Sequence, residues 1–189
     1  NEFEMSLPDS RIRFDSICIN LAEVEGDNTL ARQYLSRIDG RMRRSYLTPA
    51  DLASFMPKLR HFRDAMYVDA SVRGDREMLE IPLMQVRSQG DQVALRLDNA
   101  LVHLPFDTLE KMEVSANVSY LNVTNEGIPF LWHNLMGGEA ALPEVLQNLK
   151  HIRFDGKVGG ELDNMSTYGH LATGIGEVVA DARILYLVD

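Results

Sequence analysis

The strongest constraint on the fold of this chain is the alternation of apolar and polar side chains over residues 66–120. Successive side chains of a strand point to opposite faces, so a period of two predicts strands with one apolar face. Turn signals at Gly74–Asp75, at 89–91 and at Asp98–Asn99 separate the alternating runs. The sequence therefore predicts a mainly β (β-rich α+β) fold, an antiparallel meander curled into a groove-like or sandwich-like sheet with a few short helices.

Segments on both sides of this region extend the predicted sheet. In residues 11–21 the apolar positions change phase after Phe14, which predicts a β-bulge near Asp15–Ser16. Residues 29–46 favour one extended strand with an irregularity at Asp39–Gly40. Residues 151–189 alternate strands with glycine turns and place no catalytic residue at the corners. We therefore treat 1–189 as a single β-rich segment.

Helices are predicted in two places. Residues 48–62 begin with Thr48 as N-cap, Pro49 at the first helical position and Asp51 in a capping-box arrangement. An apolar stripe then recurs at spacings of three and four, which predicts one helix lying on the sheet; it consists of Leu52, Phe55, Met56, Leu59 and Phe62. Residues 127–150 predict two short helices opened by proline and separated by two glycines.

The composition excludes several classes of partner. The chain has 189 residues and a formal net charge of −9, whereas nucleic acid and anionic membrane surfaces require a basic face. No stretch reaches the roughly 18 apolar residues of a membrane span. Cys18 is the single cysteine and is expected to be a buried, inert side chain. Because the chain begins at Asn1, we expect a piece of a longer protein whose targeting element lies upstream.

The residues that could carry chemistry do not form a recognisable active site. The five histidines lack metal-ligand spacing, and no serine lies in a nucleophile elbow. Gly174 and Gly176 lack the third glycine of a dinucleotide loop and instead predict a tight turn. We therefore expect a protein that is not an enzyme and needs no metal or cofactor.

An alternative interpretation concerns cyclic di-GMP. Arg37 and Arg41, followed by Asp69-Ala70-Ser71-Val72-Arg73-Gly74, match the loose RxxxR and [D/N]xSxxG signature of PilZ domains. Guanidinium groups would bind the phosphates and guanine edges of the ligand. The predicted helix 48–62 interrupts the spacing that PilZ domains have, which counts against this interpretation.

Three segments resemble a recurring unit of the AsmA/TamB-like proteins of Bacteroidetes type. They are SYLTPADLASFMPKLRHF at 45–62 with the strand 66–74, IRFDGKVGG at 152–160, and YGHLATGIG at 168–176. The likeness covers most of 45–189 and is weaker over 1–44. The shared motifs are degenerate patterns of strands and turns. They indicate a resemblance to the translocation and assembly module TamB.

This resemblance implies a function without catalysis. Such proteins are periplasmic bridges, tethered to the inner membrane by an N-terminal helix that this segment lacks. A hydrophobic β-groove in them is implicated in carrying phospholipid toward the outer membrane or in assembling outer-membrane proteins. The implied partners are phospholipid acyl chains, an outer-membrane assembly protein and adjacent segments of the same chain, with no nucleic acid.

The alternating strands supply candidates for the lining of such a groove. These apolar positions are Val68, Ala70, Val72, Leu79, Ile81, Leu83, Val93, Leu95 and Leu97. The same side chains could instead pack against the predicted helix and each other as a closed core, and the sequence leaves both possibilities open.

Overall fold

The computed structural model describes six stretches of the chain. They are residues 3–23, 33–54, 57–103, 112–138, 140–161 and 164–185. Ten strands in these stretches form one antiparallel sheet in which each strand pairs only with its neighbours in sequence. The strands are β1 (Phe3–Ser6), β2 (Arg11–Glu23), β3 (Gln33–Leu47), β4 (Met66–Gly74), β5 (Met78–Ser88), β6 (Val93–His103), β7 (Glu113–Val123), β8 (Ile152–Glu161), β9 (Asn164–Thr173) and β10 (Gly176–Leu185).

This arrangement confirms the predicted mainly β meander and decides between its two forms. Sheet order follows chain order from β1 to β10, so there is one open sheet rather than two stacked ones. Within the described residues, β1 pairs only with β2 and β10 only with β9. Both outer strands therefore present a backbone edge that no described strand covers.

The four short helical segments lie in two connections. Two 3₁₀ turns, Pro49–Leu52 and Pro57–His61, join β3 to β4. The helices α1 (Gly127–Met136) and α2 (Glu144–Asn148) join β7 to β8. The last two confirm the two short helices predicted within 127–150.

The prediction of one helix over 48–62 is wrong. Thr48 makes no side-chain cap; its hydroxyl donates to the carbonyl of Asp9 at 2.7 Å. Asp51 accepts hydrogen bonds from Asp9 and Ser10, so it ties this turn to the β1–β2 connection. Pro57 has no N–H to continue an α-helical ladder, and sequence reasoning neglected it. Phe55 and Met56 of the predicted stripe lie outside the described residues.

The strand registers divide the sheet into an apolar face and a polar face. Directly paired residues of an antiparallel ladder point to the same side. One row of the apolar face crosses seven strands: Val68, Val86, Leu95, Leu121, Phe154, Leu171 and Val178. A parallel row of the polar face crosses the same strands: Ser71, Leu83, Asp98, Asn117, Lys157, Tyr168 and Asp181.

β-Bulges keep the apolar residues on one side. The register between β2 and β3 shifts between Phe14 and Ser16, which confirms the predicted bulge. The irregularity predicted at Asp39–Gly40 is wrong, because pairing there is regular on both sides of β3. It lies instead between Met42 and Ser45, where Arg44 has a φ of 50°.

Two glycines let β8 and β9 approach closely. Gly156 pairs with Gly169, and a Cβ on Gly169 would lie 2.2 Å from the carbonyl oxygen of Asp155. The Phe154 ring lies over both, since its atoms would come within 2.9 Å of a Cβ on either glycine. Gly156 of the segment IRFDGKVGG and Gly169 of the segment YGHLATGIG therefore form a close contact of β8 and β9 that leaves no room for a Cβ.

A layer of helices covers one end of the apolar face. Five buried residues form this core: Phe62, Met66, Val93, Val123 and Ile128. The layer is held by backbone hydrogen bonds from Thr124 to Gln92 at 2.9 Å and from Gly174 to Leu149 at 2.6 Å. It therefore sits on the β5–β6 and β9–β10 turns.

Candidate functional site

Eight of the nine predicted lining residues share the apolar face, and Leu83 does not. Leu83 pairs with Ser71 and with Asp98, which lie on the polar face. The register of β4 with β5 shifts just beyond this point, beside Pro82, whose missing N–H suits an irregular position. Simple alternation could not reveal this extra residue, so the expected place of Leu83 on the lining is wrong.

The apolar face has a covered end and an open part. Val68 and Val93 are buried, at 6% and 5% exposure. Farther along the strands, outside the helix-covered core, the apolar face carries both buried and partly exposed side chains. Ala100, Ala116 and Val118 are buried there. The partly exposed side chains form the open part, which consists of Val72, Leu79, Ile81, Leu97, Val102 and Val114. The predicted lining Ala70 and Leu95 lie between the two and are also partly exposed. A closed core thus exists at one end, and an accessible apolar surface continues from it.

The apolar face becomes more exposed toward the outer strands. In β2, Ile19 is 52% exposed and Leu21 is 58% exposed, and in β10 Val178 is 57% exposed. Large apolar side chains left in water at the margins of a sheet mark an interaction surface. The edges of the sheet are therefore the places where its apolar surface would continue onto something else.

Ion pairs and hydrogen bonds organise the polar face. Arg73 contacts Glu80 at 2.6 Å, and Arg96 contacts Asp98 at 3.2 Å. The Ser119 hydroxyl donates to Asp98, and together with Arg96 it holds the pKa of Asp98 below its ordinary value. Such exposed pairs stabilise the fold little but keep this face hydrated.

The residues of the cyclic di-GMP signature come together on the polar face. Arg41 lies directly opposite Ser71, and Asp39 lies opposite Arg73. Arg37 is 4.0 Å from Asp39. The two halves of the signature are thus neighbours, although both lie on strands.

The histidines and Cys18 are the other residues that the sequence offered as candidates for chemistry. His61 and His133 line a cavity of about 530 Å³ together with Asp64 and Asn134. Across the described stretches, no group of three His, Cys, Asp or Glu side chains could hold a metal ion. Cys18 is exposed, contrary to expectation, because it faces Asp39 on the polar side of β2.

One cavity was not anticipated from the sequence. It measures about 620 Å³ and is lined by Arg13, Arg43 and Arg44 with Phe3 and Phe14. The run Arg41-Met42-Arg43-Arg44 signals basic character, but only the bulges of β2 and β3 bring these arginines to Arg13.

Neither a protein-family model, nor a curated protein, nor a solved structure matches this chain. In the described part of the chain, no helix has both the length and the apolar character needed to span a bilayer. The function has to be inferred from the apolar face itself.

Proposed function

We propose that this chain is a non-enzymatic, lipid-carrying segment of a periplasmic bridge. Its apolar face shields phospholipid acyl chains on their way toward the outer membrane or assists outer-membrane protein assembly. The observation that carries the proposal is an apolar face that continues across the sheet while helices cover only one end of it. Six larger aliphatic side chains of this face stay partly exposed beyond the helices.

The dimensions of the face suit acyl chains. Ten strands leave nine gaps of about 4.8 Å, so the face measures about 43 Å across the strands. One leaflet of a bilayer holds its chains in about 15 Å. A diacyl lipid has on the order of 30 methylenes at about 0.8 kcal/mol each, so about 24 kcal/mol of hydrophobic free energy must be shielded in transit.

The chemistry of the open part favours acyl chains over a shaped ligand. Its side chains are aliphatic and include no hydrogen-bonding group to orient a small molecule, in contrast to ligand pockets. The polar face keeps the other side of the sheet in water. The uncovered edges of β1 and β10 would join adjacent segments of the same chain, and a tether upstream would hold the bridge at the inner membrane.

A photocrosslinker on either side of β5 tests this proposal. With p-benzoylphenylalanine at Ile81, vesicles of phosphatidylethanolamine and phosphatidylglycerol should give lipid adducts detectable by mass spectrometry. The same group at Leu83, two residues away on the polar face, is the matched control and should give at least about tenfold fewer adducts. Ile81→Asn should reduce lipid co-purification without lowering the unfolding temperature as far as a core change, because Ile81 is only partly buried.

Two results would count against lipid carriage. Equal crosslinking from positions 81 and 83 would show that lipid does not distinguish the faces. Crosslinking of position 81 only to protein would indicate a protein partner on the apolar face.

A cyclic di-GMP sensor is the second candidate function, supported by the direct pairing of Arg41 with Ser71. Saturable binding of cyclic di-GMP in a calorimetric titration, lost in Arg41→Ala, would favour the sensor over the lipid carrier.

A further inference from the structure

The cavity of about 620 Å³ is lined by residues of β1, β2 and β3. Phe3 of β1 pairs with Phe14 of β2, and Phe14 pairs in turn with Met42 of β3. Phe3 and Phe14 belong to the apolar face, and their rings lie 6.1 Å apart. Arg13 belongs to the polar face, so residues of both faces line one cavity.

The charges around the cavity leave an excess of positive charge. Arg13 pairs with Glu4 at 2.9 Å, and Arg43 pairs with Asp15 at 3.0 Å. The side chain of Arg44 has no hydrogen-bond or ion-pair partner among the described residues. The residues that line the cavity thus carry three guanidinium groups and two carboxylates, an excess of one positive charge in a chain of net charge −9.

The backbone conformation of Arg44 sets the direction in which its side chain leaves the strand. Its φ of 50° lies in the left-handed region, which is unfavourable for a residue other than glycine, asparagine or aspartate. The N–H of Arg44 donates to Oδ1 of Asp69 at 2.9 Å, which stabilises this conformation. Strained backbone held by a specific hydrogen bond is common where a side chain has to be positioned for binding.

We propose that this cavity binds the phosphate group of an anionic lipid headgroup, with the acyl chains entering the apolar face past Phe14. The inference rests on the proposed lipid carriage and adds a preference for negatively charged lipid. Guanidinium forks match phosphate oxygens, and the volume lies within the range of small-molecule sites. From Phe14 the apolar row continues through Met42, Ala70 and Met84, which gives the chains a path.

The net charge of −9 does not oppose this preference for anionic lipid, because salt screens the distant negative charges. Charges farther away than about 8 Å contribute little at physiological ionic strength. The local arginines therefore decide the affinity for a phosphate, although they do not make the whole chain adhere to an anionic membrane.

Calorimetry with soluble short-chain lipids tests the headgroup site. The wild-type chain should bind dioctanoyl-phosphatidylglycerol about tenfold more tightly than dioctanoyl-phosphatidylcholine. Both carry the same phosphodiester, but the choline ammonium cancels its charge and would be repelled by the guanidinium groups. Arg44→Gln should remove this preference. Arg153→Gln, an exposed arginine in β8, is the matched control and should preserve it. Arg13→Gln provides a second variant if Arg44→Gln unfolds.

The possible results separate the two proposals. Equal binding of both lipids, with crosslinking still at position 81, would overturn the headgroup site and leave lipid carriage in place. Binding of inorganic phosphate as tight as that of phosphatidylglycerol, lost in Arg44→Gln, would show a free-phosphate site and overturn the lipid assignment. Binding of neither lipid, together with no crosslinking, would refute both.

Discussion

Single side chains on the polar face respond to pH, and Asp98 is the clearest case. The Ser119 hydroxyl and the Arg96 guanidinium both favour its charged form and lower its pKa from the ordinary 3.8. Asp75 has a lowered pKa for a different reason, since the backbone N–H groups of Glu77 and Met78 donate to its carboxylate. A carboxylate whose pKa is lowered in the folded state stabilises the fold at pH values above its pKa in the unfolded chain.

Asp98→Asn should therefore be more destabilising at neutral than at acidic pH. The contribution of Asp98 is fully present above about pH 5 and is lost as the pH falls through its lowered pKa. Urea unfolding of both proteins between pH 7 and pH 2.5 should show the difference in unfolding free energy narrowing below about pH 4. Asp155→Asn, whose carboxylate has no hydrogen-bond donor in the described residues, is the control. A difference that stays constant to pH 2.5 would contradict the assigned hydrogen bonds.

At the scale of elements, sequence reasoning succeeded where the period was clean and failed at irregular residues. The strands of 66–103 and the helices of 127–150 follow directly from alternation and from proline and glycine positions. Leu83 was assigned to the wrong face of the sheet because the irregularity beside Pro82 adds one residue, which a strict alternation does not predict. Residues 48–62 combine an apolar stripe with Pro57, and the missing N–H outweighed the stripe.

The paired glycines Gly156 and Gly169 of β8 and β9 give a prediction for these elements. In Gly169→Ala the new Cβ would lie 2.2 Å from a carbonyl oxygen and 2.7 Å from the Cα of Gly156, so backbone must move. We expect a loss of about 1–3 kcal/mol in unfolding free energy. Gly159→Ala is the matched control in the same hairpin, because its nearest contact would be an ordinary 3.5 Å. Equal losses of unfolding free energy for the two variants in chemical denaturation would show that the glycine pair tolerates a side chain.

At the scale of the whole molecule, the sequence predicted the two-faced sheet but not which part of its apolar face is covered. Helix packing on Val93 and Val123 depends on where α1 and α2 dock, and that is set by hydrogen bonds to turns far away in sequence. The cationic cavity likewise depends on two bulges acting together. Long-range placement of this kind leaves no periodic signal in the chain.

The uncovered edges predict self-association of the isolated chain. No described strand pairs with the outer edge of β10, so its backbone groups are a template for another strand, and Val178 and Val179 are exposed beside them. We expect the molar mass measured by sedimentation to rise with protein concentration. Val179→Lys should keep the chain monomeric, because charge on an edge strand opposes pairing. Val145→Lys, on the 71% exposed Val145 of α2, should associate as the wild type does. A monomeric wild type would argue against open edges.

The sequential order of the strands has a consequence for biosynthesis. Every hairpin closes between neighbours in the chain, so no strand has to wait for a partner made much later. Folding of such local pairings is fast, because little loop entropy is lost before contacts form. The sheet can therefore grow one hairpin at a time as the polypeptide emerges, from its N-terminus to its C-terminus.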